Sequence, residues 1–195
     1  MIFIKTFTIL LTIFISFSLF AKTPEYRIKL SDKLDIGTRK SYECVATIAH
    51  LAEFPEYSSS WANLSAYDSY FKPYLSNKDV QAAIKTFKNL YQTTGFSYDA
   101  VASLGTYLKP DCNAYRTDIK TVKKNIESRC QNPKQLQKVV YAFYKATNFD
   151  SFYESQLSSY EENAQKFLEQ KDSLVACLEN LENYYNIQLN KVFIS

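Results

Sequence analysis

From Tyr42 to Pro55 apolar residues fall on almost every side of a helical wheel, in Tyr42-Glu43-Cys44-Val45-Ala46-Thr47-Ile48-Ala49-His50-Leu51-Ala52-Glu53-Phe54. A helix that is apolar nearly all round belongs at the centre of a domain. Pro55 disfavours helix at the residue before it, so the helix is predicted to stop there. Its polar exceptions form a stripe. Glu43, Thr47 and His50 recur at i, i+4 and i+7, which places them on one face, with Glu53 beside them. Such a stripe either faces solvent or lines a cleft, and these four residues are the cleft-lining candidates.

The flanking pattern is mostly helical. Ser65 is positioned to cap a short helix bearing Tyr67, Tyr70, Phe71 and Tyr74, and Ser76-x-x-Asp79 has the form of a capping box. Val80, Ala83, Ile84, Phe87, Leu90 and Tyr91 give an amphipathic helix closed by Gly95 as a left-handed cap. Ser97 opens the next helix, which Pro110 ends. Tyr115, Ile119, Val122 and Ile126 predict a single helix over Ala114 to Cys130. Asn132-Pro133 then restarts the chain as cap and first helical residue, ahead of Leu136, Val139, Val140 and Phe143. A further run from Asn148 carries Phe149, Phe152, Tyr153, Tyr160, Ala164 and Phe167. It is followed either by a separate helix capped by Asp172 or by a bend in one long helix.

Only the ends change period. Tyr26 to Leu30 alternates apolar and polar, and Asn186 to Ser195 reads as strand. A strand needs a partner: either Tyr26 to Leu30, the internal candidate, pairs with the C-terminal one, or the partner strands lie in sequence outside this chain. The prediction is therefore one mainly α domain of several helices, with a short β-strand near each end. Glu56 to Asn63 is read as a polar loop carrying the single tryptophan, Trp61, and Asn63-Leu64-Ser65 fits a glycosylation sequon.

The start of the chain changes the picture of where this domain works. Lys5 is the single charge before an apolar run from Phe7 to Phe20, which ends at Ala21 ahead of Lys22-Thr23-Pro24-Glu25. Residues 1–21 read as a secretory signal peptide, with a retained anchor as the alternative. The protein is expected to be exported to the periplasm, the cell surface or the outside of the cell. Residues 22–195 would form the helical domain, with no further membrane span. Without Lys5 the formal charge falls from +3 to +2. Such a balance, with Lys120-Thr121-Val122-Lys123-Lys124 as the clearest basic run, argues against nucleic acid as a partner.

Export permits disulfides, and Cys44, Cys112, Cys130 and Cys177 allow three complete pairings. A continuous helix from Ala114 to Cys130 would hold Cys112 and Cys130 on the order of 20 Å apart. Bonded Cα atoms lie within about 7 Å, which makes that pair improbable unless the helix breaks. Cys44 and Cys130 read as small core residues.

Candidate chemistry is sparse. With one histidine in the chain, no H-E-x-x-H helix is possible, and the cysteine spacings do not make a zinc cluster. His50 as a catalytic base has no G-x-S-x-G elbow to serve, so a hydrogen-bonded helix histidine is the simpler reading. The three glycines, Gly37, Gly95 and Gly105, are isolated and form no phosphate cradle. Glu43 and Glu53 could supply one half of a carboxylate pair, but nothing in the sequence supplies the other half.

The order Tyr42-Glu43-Cys44-Val45, His50-Leu51-Ala52 and Pro55-Glu56-Tyr57 resembles the opening helix of a family of exported bacterial proteins of unknown function. Tyr70-Phe71, Asp79-Val80 to Leu90, Gly95 to Val101, Phe143-Tyr144, Asn148-Phe149, Phe152-Tyr153 and Tyr184-Tyr185 extend the resemblance in order. Full-length members look like zinc metallopeptidases, with an H-E-x-x-H-type helix after a strand such as the one predicted here over Asn186 to Ser195. That segment has no counterpart in this sequence, so no zinc ligand or catalytic residue carries over. Whether any enzymatic activity remains is left open. Glu43, His50, Glu56 and Tyr57 match the family's helix-and-turn motif, and the resemblance implies a structural role for Glu56 and Tyr57. It also implies a non-catalytic N-terminal part of a metallopeptidase-like protein, from a truncated gene or a fragment, without its own cofactor. The alternative is a complete, non-enzymatic envelope or extracellular module that binds a protein, peptide or glycan.

Overall fold

A computed structural model of the chain describes residues 25–58, 64–126, 129–189 and 192–194. The predicted signal peptide, Trp61 and the Asn63 sequon lie outside the described residues. Helix α1, Lys40–Leu51, runs through the centre, with Cys44, Val45, Ala46, Ile48 and Ala49 wholly buried. Its end comes earlier than Pro55. Glu53 adopts a left-handed backbone conformation (φ 61°), and the amides of Glu53 and Phe54 donate to the carbonyls of His50 and Ala49. Glu53 therefore leaves the helical stripe, and Pro55 opens a one-turn helix α2, Pro55–Ser58. Proline suits that first position because its missing N–H would have no helical partner there.

Helices then wrap α1. They are α3, Leu64–Phe71, with a 3-10 turn Lys72–Tyr74 after it; α4, Lys78–Thr94; α5, Tyr98–Tyr107; and α6, Ile119–Ile126. Next come α7, Pro133–Ala146; α8, Phe149–Ser155; α9, Leu157–Leu168; and α10, Lys171–Tyr185. The fold is mainly α, as the pattern predicted. Among the described residues no helix is long and apolar enough to cross a membrane.

Local signals set several boundaries. Gly95 is the left-handed cap of α4 (φ 67°), and its amide and that of Phe96 close onto Tyr91 and Leu90. Asn132 caps α7 by accepting the Gln135 amide at 3.1 Å. The predicted capping box at Ser76 is displaced by one residue. Asn77 is the cap, its side chain accepting the Asp79 amide at 2.8 Å. The predicted helix Ala114 to Cys130 is cut to Ile119–Ile126. Asp118 accepts the amides of Lys120 and Thr121 at 2.9 and 3.0 Å and starts the helix there, while Leu108 and Tyr115 form an isolated antiparallel bridge. The run from Asn148 divides at Gln156, and α10 begins at Lys171, one residue before the expected cap Asp172.

The strands also depart from expectation. β1, Tyr26–Lys29, pairs antiparallel with β2, Leu34–Thr38, in the register Ile28 opposite Ile36. β3, Val192–Ile194, runs parallel to β2, with Leu34 opposite Val192. The C-terminal strand thus pairs with Leu34–Thr38 and not with Tyr26 to Leu30, and β2 is the middle strand of the sheet.

Two apolar clusters result. The larger surrounds α1 and contains a group of rings about Phe71, whose centroid lies 5.8, 6.1 and 4.8 Å from those of Phe143, Phe149 and Phe152. Helix α5 crosses α1 so closely that a β-carbon at Gly105 would lie 2.6 Å from the Tyr42 Cα, which explains glycine there. The smaller cluster joins Leu30, Leu34 and Ile36 to Leu178 of α10.

Candidate functional site

Glu43 lies in the first turn of α1, where its charge suits the positive end of the helix. Its carboxylate accepts a 2.6 Å hydrogen bond from the Tyr67 hydroxyl of α3, and the buried Tyr160 hydroxyl of α9 lies close to both groups. Burial raises the Glu43 pKa. The hydrogen bond from Tyr67 opposes the shift by favouring the anion, without cancelling it. Burial, with Glu43 as the neighbouring charge, also raises both tyrosines, so these phenols stay protonated, Tyr67 as the donor to Glu43. The face of α1 that carries Glu43 is therefore covered by α3 and α9.

The rest of the stripe is engaged as well. The buried Thr47 hydroxyl donates to the Glu43 carbonyl at 2.7 Å, one turn back. His50 places Nδ1 3.0 Å from the Tyr57 carbonyl and Nε2 3.0 Å from Asp68 Oδ1. Both contacts are to acceptors, so a neutral ring can donate to one of them only. The ring of Tyr67 meets that of His50 edge-on at 6.4 Å, which links Glu43, Tyr67, His50 and Asp68 into one seam. Glu53 stands apart at the surface, paired with Lys88 of α4 at 2.8 Å and held below its ordinary pKa by that bond. Glu56 is exposed on α2, whereas Tyr57 is buried and its ring stacks on Tyr98 at 5.9 Å.

A second polar group was not visible in the sequence. Lys40, 1% exposed, reaches Asp150 of α8 at 2.5 Å, and the Tyr144 hydroxyl donates to the same carboxylate oxygen at 2.6 Å. The Lys40 ammonium also sits 5.2 Å from the centre of the Tyr153 ring. Tyr153 in turn donates to the Thr38 carbonyl at 2.6 Å and accepts the Tyr26 amide at 2.7 Å, tying the sheet to the helices. Lys40 and Asp150 are separated by 110 residues, so no spacing rule brings them together.

Two cavities open elsewhere. One, of about 350 Å³, lies between α4 and the start of α7, and Thr86, Asn89, Thr93, Asn132 and Gln135 are among its lining residues. The other, of about 180 Å³, lies between β2 and α9 and has Tyr160 and Phe167 on its wall. Among the described residues, no group of three or more His, Cys, Asp or Glu side chains could hold a metal ion. The donor set that a metallopeptidase zinc needs is thus not supplied by these residues.

The last described face differs in kind. On and after α10, Leu181, Tyr184, Tyr185 and Ile187 are 45, 82, 62 and 49% exposed. They lie in the segment leading to β3, an outer strand of the sheet. Glu182 anchors the segment by accepting Lys33 Nζ at 2.8 Å and the Leu189 amide at 2.7 Å. No family model, curated protein or solved structure matches this chain.

Proposed function

We propose that the chain is an exported, non-catalytic helical module that seats other polypeptide against the face formed by the end of α10 and β3. The observation that carries this reading is the exposed row Leu181, Tyr184, Tyr185 and Ile187 in the segment that leads to an outer strand. Contiguous exposed apolar side chains mark contact surfaces, and an outer strand can accept a further strand. The engagement of Glu43, Thr47 and His50 inside the fold supports a structural role for the α1 stripe. The sequence resemblance adds that the docked polypeptide is the zinc-binding portion of a metallopeptidase-like protein.

The test combines two assays on the isolated chain. No zinc-dependent hydrolysis of an unfolded protein substrate is expected. Binding of an apolar dye is expected, and the paired changes Tyr184→Ser and Tyr185→Ser should remove it without lowering the thermal midpoint. Turnover abolished by Glu43→Gln, or dye binding untouched by the paired change, would overturn the proposal.

The 350 Å³ cavity favours a second reading, a module that binds a glycan. Its threonine, asparagine and glutamine side chains are neutral donors and acceptors, suited to sugar hydroxyls. Titration with neutral oligosaccharides should then shift the amide resonances of Thr93 and Asn132. Unchanged resonances at saturating sugar would dismiss it.

A further inference from the structure

Two of the four cysteines meet in the core. Cys44 is on α1, and Cys112 is at the tip of the loop between α5 and α6; both are wholly buried. The loop is built to carry Cys112 inward. Its base is the Leu108–Tyr115 bridge, reinforced by the amides of Lys109 and Arg116 donating to the carbonyls of Ala114 and Tyr107 at 2.9 and 2.7 Å. At the tip the Cys112 amide donates to the Lys109 carbonyl at 2.8 Å, and the Cys112 backbone is left-handed (φ 57°). A residue with a side chain adopts that conformation uncommonly.

Polar contacts fix the loop against the helix on both sides. The Ser41 hydroxyl, on the same face of α1 as Cys44 and one turn before it, donates to the carbonyls of Gly105 and Leu108 at 2.8 and 3.3 Å. From α7, the Gln137 side-chain amide donates to the Cys112 carbonyl at 2.7 Å. Both thiols consequently enter the same part of the core, where each lies close enough to the Tyr144 hydroxyl, and to the other, to act on it electrostatically. Cys130 lies beside Tyr115 instead, and Cys177 is exposed on α10.

We propose that Cys44 and Cys112 form an intramolecular disulfide when the chain folds in an oxidising medium. The oxidant is a small or protein disulfide. One cysteine thiolate attacks it to give a mixed disulfide and release one thiolate. The second cysteine thiolate then displaces the other, leaving one Cys44–Cys112 bond and two reduced thiols from the oxidant. Full burial, which also pushes the Cys44 thiol well above its ordinary pKa, keeps the pair inert once the core has closed. Exchange therefore takes place during folding. Bond formation draws the two sulfurs to about 2 Å. The pairing does not depend on the docking role proposed above.

The test uses the full chain without substitutions. It is unfolded under reducing conditions, refolded with oxidised and reduced glutathione, and alkylated in denaturant before peptide mass spectrometry. The expected product has lost two hydrogens, links the peptides of Cys44 and Cys112, and carries alkyl groups on Cys130 and Cys177. Reduction should lower its thermal midpoint by on the order of 10 °C, given the long loop that the bond closes. A variant with Cys130→Ala and Cys177→Ala should form the same link. Four alkylated cysteines after oxidative refolding, or a bond to Cys130 or Cys177, would overturn the assignment.

Discussion

The centre of the molecule and its C-terminal edge treat the same kinds of side chain in opposite ways. Around α1 the rings of Phe71, Phe143, Phe149 and Phe152 are packed to zero exposure, and Glu43, Thr47 and His50 of the stripe each have a partner on another segment or one turn back. Along α10, Leu178 is the buried apolar residue, while two adjacent tyrosines stand in solvent. Packing density makes the first region intolerant of change, and loose packing leaves the second free to meet something else. The difference teaches where to look for action. The stripe that drew attention in the sequence is used up in holding the fold, and the least packed face is the one left for contact.

Substitutions can break or sharpen that contrast, and the largest effect belongs to the ring cluster. Phe71→Ala should cost roughly 3–5 kcal/mol in urea unfolding, as expected for an aromatic removed from a closed core. A loss below about 1 kcal/mol would mean that the centre is no better packed than the edge.

Next comes the buried ion pair. Asp150→Ala takes from the buried Lys40 its carboxylate partner and leaves the Tyr144 hydroxyl without its acceptor. The expected loss is roughly 2–3 kcal/mol, short of the fully buried range because Asp150 keeps some contact with solvent. Recovery in the double variant Asp150→Ala with Lys40→Met would show that the buried Lys40 charge is the cause.

Glu43 should reveal itself through pH. Its folded pKa is raised, so between the ordinary carboxylate value and the raised one the native state binds more protons than the unfolded state. The Glu43 contribution is present at low pH and is lost as pH rises through the folded pKa. Glu43→Gln should remove this part of the slope in a stability-versus-pH series, gaining on the native protein as pH rises. Parallel curves for the two proteins would place Glu43 in solvent-like surroundings.

The smallest effect is expected at the edge. Tyr184→Ser should leave stability within about 0.5 kcal/mol while weakening dye binding. A loss above about 1 kcal/mol would show that this face is packed in the isolated chain and would dissolve the contrast.

What could be read in advance follows the same division between local and distant causes. The Gly95 and Asn132-Pro133 boundaries were legible because cap chemistry involves neighbours within a few residues. Helix α1 was legible from its near-continuous apolar pattern. The helix predicted over Ala114 to Cys130 came out too long because Tyr115, in the bridge to Leu108, faces the core at a position that mimics the helical period. Strand β2 was missed because Leu34-Asp35-Ile36-Gly37-Thr38 is short and buried on both faces, and its pairing with β3 spans most of the chain. At the site, Glu43, Thr47 and His50 were correctly placed on one helix, and Glu53 left it through a backbone turn. Their partners Tyr67, Asp68 and Tyr160, like the Lys40–Asp150 pair, depend on tertiary packing that no spacing encodes.

Native-state hydrogen exchange, followed residue by residue in the isolated chain, tests the contrast most directly. The account predicts that amides from Cys44 to His50 exchange only through global unfolding, whereas those from Leu181 to Ile187 exchange through local opening at far lower free energy. Exchange from Cys44 to His50 as fast as from Leu181 to Ile187 would contradict it.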